Sequence, residues 1–386
     1  IAKMLPYGKH NINTNDLKII KKSLNSNLIT TGKYVEKFER KISNYTGSKY
    51  AISCNSGTSA LHLAFLSANI KKNDNVIIPA INFVATSNIL RMMGAKIYLC
   101  DVDENTGQIT HKQLLNCIKR NKVKKIKAVI LMYLGGISCN NYEIYNLKKK
   151  YKFLIIEDSC HALGSDYKYK KKKYKVGSCK HSDLATFSFH PLKSITTGEG
   201  GAITTNNKTY ANNLKLYRSH GIIRTPNKHW HYQINNGGFN YRLSDINCAL
   251  GFSQMKRIRK FLKIRRKISS YYIKKLKILE KENIIKLPDI KQISFSSCHL
   301  FIINFNFSLI KLKKEKLFNF FKKNKIYLQQ HYIPIYKFKY HKDLSKKLKN
   351  TEKYFKKSVS FPIFYDLTLK DQNKVISVLN NFVYKK

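Results

Sequence analysis

The sequence predicts an α/β protein: a mostly parallel sheet with helices on both faces, followed by a smaller α+β unit. Three observations predict it. From residue 50 onward, short apolar strands alternate with helices, the pattern of consecutive β-α units. Residues 244 to 282 carry a long, strongly charged helical pattern, which reads as a connector. At 386 residues the chain is long enough for a large core and two domains. The expected division is a large domain over 1–250 and, over 251–386, the connecting helix with the small domain.

The elements follow in order. Residues 11 to 46 read as helices, because "TNDLKIIKKSLNS" and "GKYVEKFERKISNYTG" each place apolar residues at three-to-four spacing, with Gly47 as a C-cap. "YAISC" is then a strand before the helix "SALHLAFLSANI", and "NVIIPA" a strand before "FVATSNILRMMG". "KIYLCDVD", "IKAVILMYLGG", a helix around 141 to 151 and "KFLIIEDSCHALG" continue the alternation. After the strands "LATFSFH" and "GGAITTN" the chain turns helical through "NNLKLYRSHG". The last part has a strand at "HLFIINFNFS", a helix over 311 to 324 and an extended "IYLQQHYIPIY".

Composition bounds the function. Hydrophobic residues at 43% and aromatics at 12% describe a globular chain. No apolar run approaches the roughly 18 to 20 residues that span a bilayer, and "IAKMLPYGKHNINTNDL" lacks the apolar stretch of a signal peptide. The eight cysteines form no C-x-x-C pair and no zinc-like cluster with histidine. They read as reduced thiols of a cytoplasmic protein, and no metal is expected. A net charge of +51 suggests nucleic acid. Yet only about ten of the 73 basic residues are Arg, and the lysines are dispersed, with runs such as "KYKKKKYK". No nucleic-acid-binding motif accompanies them. The charge therefore reads as a solvated lysine surface that also attracts acidic metabolites.

Four stretches fall where strand ends converge in such a sheet. In "CNSGTSALH", Gly57, Thr58 and Ser59 enter a helix, an arrangement that admits an anion to backbone N–H groups but also describes an ordinary N-cap. In "PAINFVATSN", Phe83 follows a strand end, as a lid for a planar ring or as core. In "FLIIEDSCHALG", an apolar strand leads to Asp158 and then His161. A buried carboxylate is costly without a cation, or it caps the next helix. In "SFHPLKSITTGEGG", Lys193 stands alone between an apolar strand and a glycine cluster. Desolvation there lowers an amine's pKa toward a nucleophilic range, and Ser188 lies within reach of a phosphate. Together these parts answer the needs of pyridoxal phosphate: a Schiff-base lysine, a carboxylate for the pyridine nitrogen, a phosphate cradle and an aromatic against the ring face.

"NSGTSALHLA", "IIEDSCHALGS", "FSFHPLKSITTGEGGAITTN", "LYRSHGI" and "GFNYRLSDINCALGFSQ" together resemble the DegT/StrS-type sugar-nucleotide aminotransferases. The resemblance implies the aspartate-aminotransferase fold (fold type I), pyridoxal phosphate as cofactor, and homodimers with shared active sites. It implies that Lys193 is the Schiff-base lysine, Asp158 the partner of the pyridine nitrogen, and Thr58 with Gly57 and Ser188 the phosphate ligands. Phe83 then stacks on the ring and His161 stands beside the cofactor's phenolic oxygen. Asn240 reaches the phosphate of the neighbouring subunit's cofactor. Some relatives carry histidine in place of the lysine and dehydrate; Lys193 points to transamination.

Within the family, "DSCHALGS", "YRSHG" and "QQHYIPIYKFKYH" resemble the aminotransferases of pseudaminic acid biosynthesis. That likeness implies amination at C4 of a UDP-linked 4-keto-6-deoxy-N-acetyl sugar with L-glutamate as donor. His331 and Tyr332 become substrate contacts, as do Thr31 and Gly32 in "LITTGK", although all four also suit plain packing. The alternatives are amination at C3 or of a dTDP or GDP sugar, a non-catalytic relative, or a lysine-rich nucleic-acid binder.

Overall fold

The computed structural model describes residues 4–138, 142–344 and 348–384. Two helices open the chain, α1 (Thr14–Leu24) and α2 (Lys33–Thr46), the latter closed by Gly47 in the left-handed region. Then come β1 (Tyr50–Cys54), α3 (Gly57–Ser67), β2 (Asn75–Pro79), α4 (Ala85–Met92), β3 (Lys96–Cys100) and α5 (His111–Arg120). They are followed by β4 (Ile126–Met132), α6 (Tyr142–Tyr151), β5 (Leu154–Asp158), β6 (Asp166–Tyr169), β7 (Lys172–Lys175), β8 (Leu184–Ser188) and β9 (Gly201–Thr205). Next stand α7 (Lys208–Arg218), β10 (Ile222–Arg224), β11 (Tyr232–Ile234), α8 (Asp245–Lys275) and α9 (Lys277–Lys281). The chain ends with β12 (Ile285–Lys286), α10 (Ile290–Ile293), β13 (Phe301–Phe305), α11 (Lys314–Lys323), α12 (Lys349–Lys357), β14 (Ser358–Phe361) and α13 (Leu369–Tyr384).

The expected α/β architecture is present. The main sheet has seven strands in the order β1-β9-β8-β5-β4-β2-β3. Neighbours from β8 through β3 pair in parallel, while β9 is antiparallel to both β8 and β1. Only β9 therefore runs against the rest. Its inner strands carry apolar runs ("AVILM" in β4, "LII" in β5) because helices cover both faces and leave neither to water. One core packs α3 and α4 on one face, around Leu61, Phe65, Ile78 and Ile156. On the other, Leu114, Ile118, Tyr145 and Leu147 pack against Val129 and Ile155.

The C-terminal unit is an antiparallel sheet, β12-β13-β14, packed with α11, α13 and the far half of α8 around Tyr272, Phe301, Phe321 and Leu379. The long helical pattern is indeed α8, with α9 after a break. α8 runs unbroken across residue 250, where the sequence placed its domain boundary. Its N-terminal half packs against α1 and α2 through Phe38, Met255 and Phe261.

Two hairpins were not anticipated. The lysine run at 168–175 belongs to the β6–β7 hairpin. There Lys173 and Lys175 pair with Asp166 at 3.0 and 2.8 Å, and Tyr167, Tyr169 and Tyr174 pack around His181. The second hairpin, β10–β11, projects Ile223, Trp230, Tyr232 and Ile234 into solvent. Seven cysteines are free thiols among the described residues, and Cys139 lies outside them. No described helix is long and apolar enough to cross a membrane.

Candidate active site

Parallel strands deliver their C-terminal ends to one edge of the sheet, and the site lies along that edge. The loops after β1, β2, β4, β5 and β8 line a cleft of about 540 Å³ with the segment 329–332 of the C-terminal unit. Gly57, Thr58, Phe83, Asp158, His161, Ser188, Lys193, His331 and Tyr332 all line it. Nine of the twelve expected residues, drawn from positions 57 to 332, thus converge.

At one end stands the first turn of α3. Ser56 caps it, accepting from Ser59 N at 3.0 Å, while Ser59 Oγ accepts from Ser56 N at 3.0 Å. This capping box holds Gly57 and Thr58 at the positive end of the helix, where amides lack intrahelical partners. Ser188, the last residue of β8, faces Gly57 so closely that a Cβ on the glycine would lie 2.8 Å from its Cβ.

Asp158 ends β5 and is buried. Its Oδ2 accepts from Thr86 Oγ1 at 3.2 Å and its Oδ1 from Cys160 N at 3.4 Å. No described lysine, arginine or histidine forms an ion pair with it. Glu157, its neighbour, points through the sheet to the opposite core, as strand alternation requires. There it accepts from Tyr133 Oη at 3.0 Å and Gly177 N at 3.1 Å. Burial raises its pKa; of these two neighbours, Asp158 is the one that lines the cleft.

Lys193 follows β8 in a turn closed by its own amide to His190 O at 2.9 Å. The residue is half-buried because the cleft opens to solvent, but its amine lies in protein surroundings. Desolvation lowers its pKa, opposed by the Cys160 and Asp158 side chains. Phe83 presents an exposed ring at the cleft and packs against Tyr332, centroids 5.8 Å apart.

Three histidines, His161, His299 and His331, crowd the inner wall; the rings of His161 and His299 are 4.2 Å apart. Burial first, and then the Lys193 ammonium, holds each well below the ordinary imidazole range, His331 at about 3. His161 accepts from Gly135 N at its Nδ1 (3.3 Å), and its Nε2 lies 2.9 Å from Tyr332 Oη. Both ring nitrogens are thus engaged within the chain, which the expected role beside a phenolic oxygen did not anticipate.

Asn240, Thr31 and Gly32 do not line the cleft of their own chain. Asn240 pairs with Ser219, and its carbonyl accepts from Asn55 Nδ2 at 3.4 Å. Gly32 starts α2, where a Cβ would meet Leu28 O at 2.5 Å and Asp245 Cγ at 2.6 Å; Asp245 Oδ1 accepts from Tyr34 N and Val35 N. Sequence reasoning missed Tyr7, Cys160, His190, Glu199, His299, Gln329 and Gln330, which also line the cleft. Glu199 and His190 sit in the motif around Lys193, Cys160 in "IIEDSCHALGS" and Gln329 and Gln330 in "QQHYIPIYKFKYH", whereas Tyr7 and His299 lie in no such motif.

The arrangement fits a phosphorylated pyridine. A buried carboxylate without an ion pair suits a ring nitrogen that keeps its proton. A side-chain-free helix start suits a phosphate, and an aromatic with an open face suits a flat ring. Among the described residues no group of three or more His, Cys, Asp or Glu could hold a metal.

Residues 10–380 match the DegT/DnrJ/EryC1/StrS aminotransferase family. The chain is 38% identical over 384 residues to a UDP-4-amino-4,6-dideoxy-N-acetyl-beta-L-altrosamine transaminase of Campylobacter jejuni, covering 99% of this chain and 98% of that one. Among solved structures it superposes on Helicobacter pylori PseC, described as an aminotransferase of pseudoaminic acid biosynthesis, with TM-score 0.88, 29% identity and full coverage of both chains. It shares its fold with the sugar aminotransferase Spr1654 of Streptococcus pneumoniae (TM-score 0.88, 24% identity, 99% of each chain). The chain belongs to the DegT/DnrJ/EryC1/StrS aminotransferase family and is a pyridoxal-phosphate-dependent transaminase of fold type I.

Proposed function

We propose that this enzyme moves the amino group of L-glutamate to C4 of a UDP-linked 4-keto-6-deoxy-N-acetylhexosamine, producing a 4-amino sugar for surface glycans such as those built with pseudaminic acid. One observation carries the chemistry: Lys193 and the ion-pair-free Asp158 open into the same cleft as the phosphate cradle. The whole-length similarity to the Campylobacter transaminase supports the substrate.

Pyridoxal phosphate, when bound, supplies a conjugated electron sink for the substrate carbon. In this reading Lys193 holds the cofactor covalently at rest. Its lowered pKa then suits it to take and return the proton at the substrate carbon. Asp158 keeps the pyridine nitrogen protonated; Gly57, Thr58 and Ser188 bind the phosphate, and Phe83 covers the ring face. His161 stands beside the ring, and His331 and Tyr332 contact the sugar.

The reading includes a homodimer with shared active sites, in which Asn240 reaches the cofactor phosphate in the cleft of the second copy, and it keeps Thr31 and Gly32 as substrate contacts. The exposed apolar side chains of β10–β11, close in sequence to Asn240, support that partner. It also retains a division at residues 1–250 and 251–386 with α8 as the shared strut, and a cytoplasmic location, supported by the free thiols.

The test is to incubate purified protein with L-glutamate and a panel of UDP, dTDP and GDP keto-sugars and to identify products by NMR. A 4-amino UDP sugar is expected. A product from another nucleotide, or aminated at C3, would overturn the substrate; no amino transfer to any sugar would overturn the function.

A further inference from the structure

A backbone amide can only donate, so the contact from Gly135 N to His161 Nδ1 at 3.3 Å requires a lone pair on Nδ1. The ring is buried with Lys193, His299 and His331 around it, and this environment keeps it neutral. A neutral imidazole carries one proton, which must then sit on Nε2. That nitrogen is 2.9 Å from Tyr332 Oη, and so the hydroxyl is the acceptor of this bond. Its own proton has to point elsewhere.

Among the described residues Tyr332 Oη has no second hydrogen-bond partner, and Tyr332 lines the cleft. Asp158, Cys160, Tyr7 and Tyr354 are the titratable groups around it, with His161 and His331 beside its ring. Burial and these acids hold the phenol in its protonated form. A desolvated donor of this kind is worth far more when it meets an acceptor than when it does not.

We propose that Tyr332 donates a hydrogen bond to an electron-rich oxygen of the molecule that fills the cleft, and that His161 is the positioning residue that turns the hydroxyl outward. The acceptor is a phenolic oxygen of the pyridine ring or an oxygen of the keto-sugar. The proposal rests on the function given above for the identity of those ligands. It adds a direction to the pair: the chain Gly135 N–H, His161 Nε2–H, Tyr332 O–H runs one way, into the cleft.

Two measurements test it. In 15N-histidine-labelled protein, the ring resonances that disappear in His161→Gln should show a protonated Nε2 and a bare Nδ1; a protonated Nδ1 overturns the proposal. In the holoenzyme, Tyr332→Phe should act in one of two ways. A shift of about half a pH unit or more in the titration of the visible band of the lysine-bound cofactor places the acceptor on the cofactor. An unchanged band with a KM for the nucleotide sugar raised about tenfold places it on the sugar, the size expected for one lost hydrogen bond. If neither changes, the proposal fails.

His161→Gln, whose amide oxygen can accept from Gly135 while its NH2 donates to Tyr332, should restore toward wild type what His161→Phe loses. His161→Phe should reproduce Tyr332→Phe, and wild-type behaviour in that variant would overturn the positioning role. Should wild-type protein carry no lysine-bound chromophore, the assigned function fails, whereas the NMR measurement still decides the direction of the pair.

Discussion

Gly57 and Ser188, at the start of α3 and the end of β8, approach so closely that a methyl group on the glycine would stand 2.8 Å from Ser188 Cβ and 3.4 Å from Cys160 Sγ. This contact joins the β1–α3 and β8–β9 connections into one cradle. A Cβ at 57 must push them apart, since neither the helix start nor the strand end is the tip of a flexible chain. Gly57→Ala should cost about 1–3 kcal/mol of stability, the usual penalty for overpacking, and weaken pyridoxal phosphate binding about tenfold or more. Thermal melts and spectrophotometric titration check both; unaltered cofactor affinity would remove Gly57 from the cradle.

Asp158 is buried, and among the described residues no ion pair reaches it. Asp158→Asn keeps the shape and can still accept from Thr86, but it cannot hold a proton on a ring nitrogen by charge. The variant should melt at or above the wild-type temperature, because a buried charge is gone. Its kcat should fall on the order of a hundredfold, as when one electrostatic stabiliser is lost from a water-excluded site. A kcat within a few-fold of wild type would contradict the assignment.

The three cleft histidines give stability a pH dependence of known sign. Unfolded, each titrates near the ordinary value of about 6.5; folded, burial and then Lys193 hold all three below it, His331 at about 3. The unfolded chain therefore binds more protons below pH ~6.5. The stabilisation is fully present above that pH and is lost as pH falls toward about 3. Each histidine contributes up to about 1.4 kcal/mol per pH unit in that window. Urea midpoints of the cofactor-free protein should drop between pH 7.5 and 5.5, less steeply in His299→Leu. Equal slopes in the two proteins would exclude His299 from the effect.

Lys193 and Asn240 offer a test of the shared site. Lys193→Ala and Asn240→Asp should each be inactive alone, the first by losing the covalent attachment and the second by setting a negative charge against a phosphate. Co-expressed, the two chains form mixed dimers with one site free of both changes, so about a quarter of wild-type activity should return with random pairing in a two-fold dimer. Activity no higher than the average of the separate variants would show that each cleft is built from one chain.

Much of the fold was legible because its signals are local. The apolar strand runs, the Gly47 cap and the charged periodicity of α8 each depend on neighbours a few residues away. The β10–β11 hairpin was not legible, since its exposed Trp230, Tyr232 and Ile234 break the apolar-inward pattern by which a strand is recognised. The lysine run in β6–β7 hid a hairpin for a related reason: its pairing acid, Asp166, and the covering Phe295 come from either side of the run in sequence.

Within the site, local pattern was enough to single out Lys193 and Asp158 as candidates for the chemistry. An amine isolated between an apolar strand and glycines, and a carboxylate ending a buried strand, are costly placements that local pattern makes visible. Tertiary structure alone decided how those groups are arranged. It separated Asp158 from Glu157 by strand alternation, added Tyr7 and His299 to the cleft, and left Asn240, Thr31 and Gly32 outside the cleft of their own chain. It also brought His161 and Tyr332, residues 171 positions apart, within 2.9 Å of each other. Burial and hydrogen-bond direction depend on what lies across the cleft, and sheet order brings those partners from distant parts of the chain.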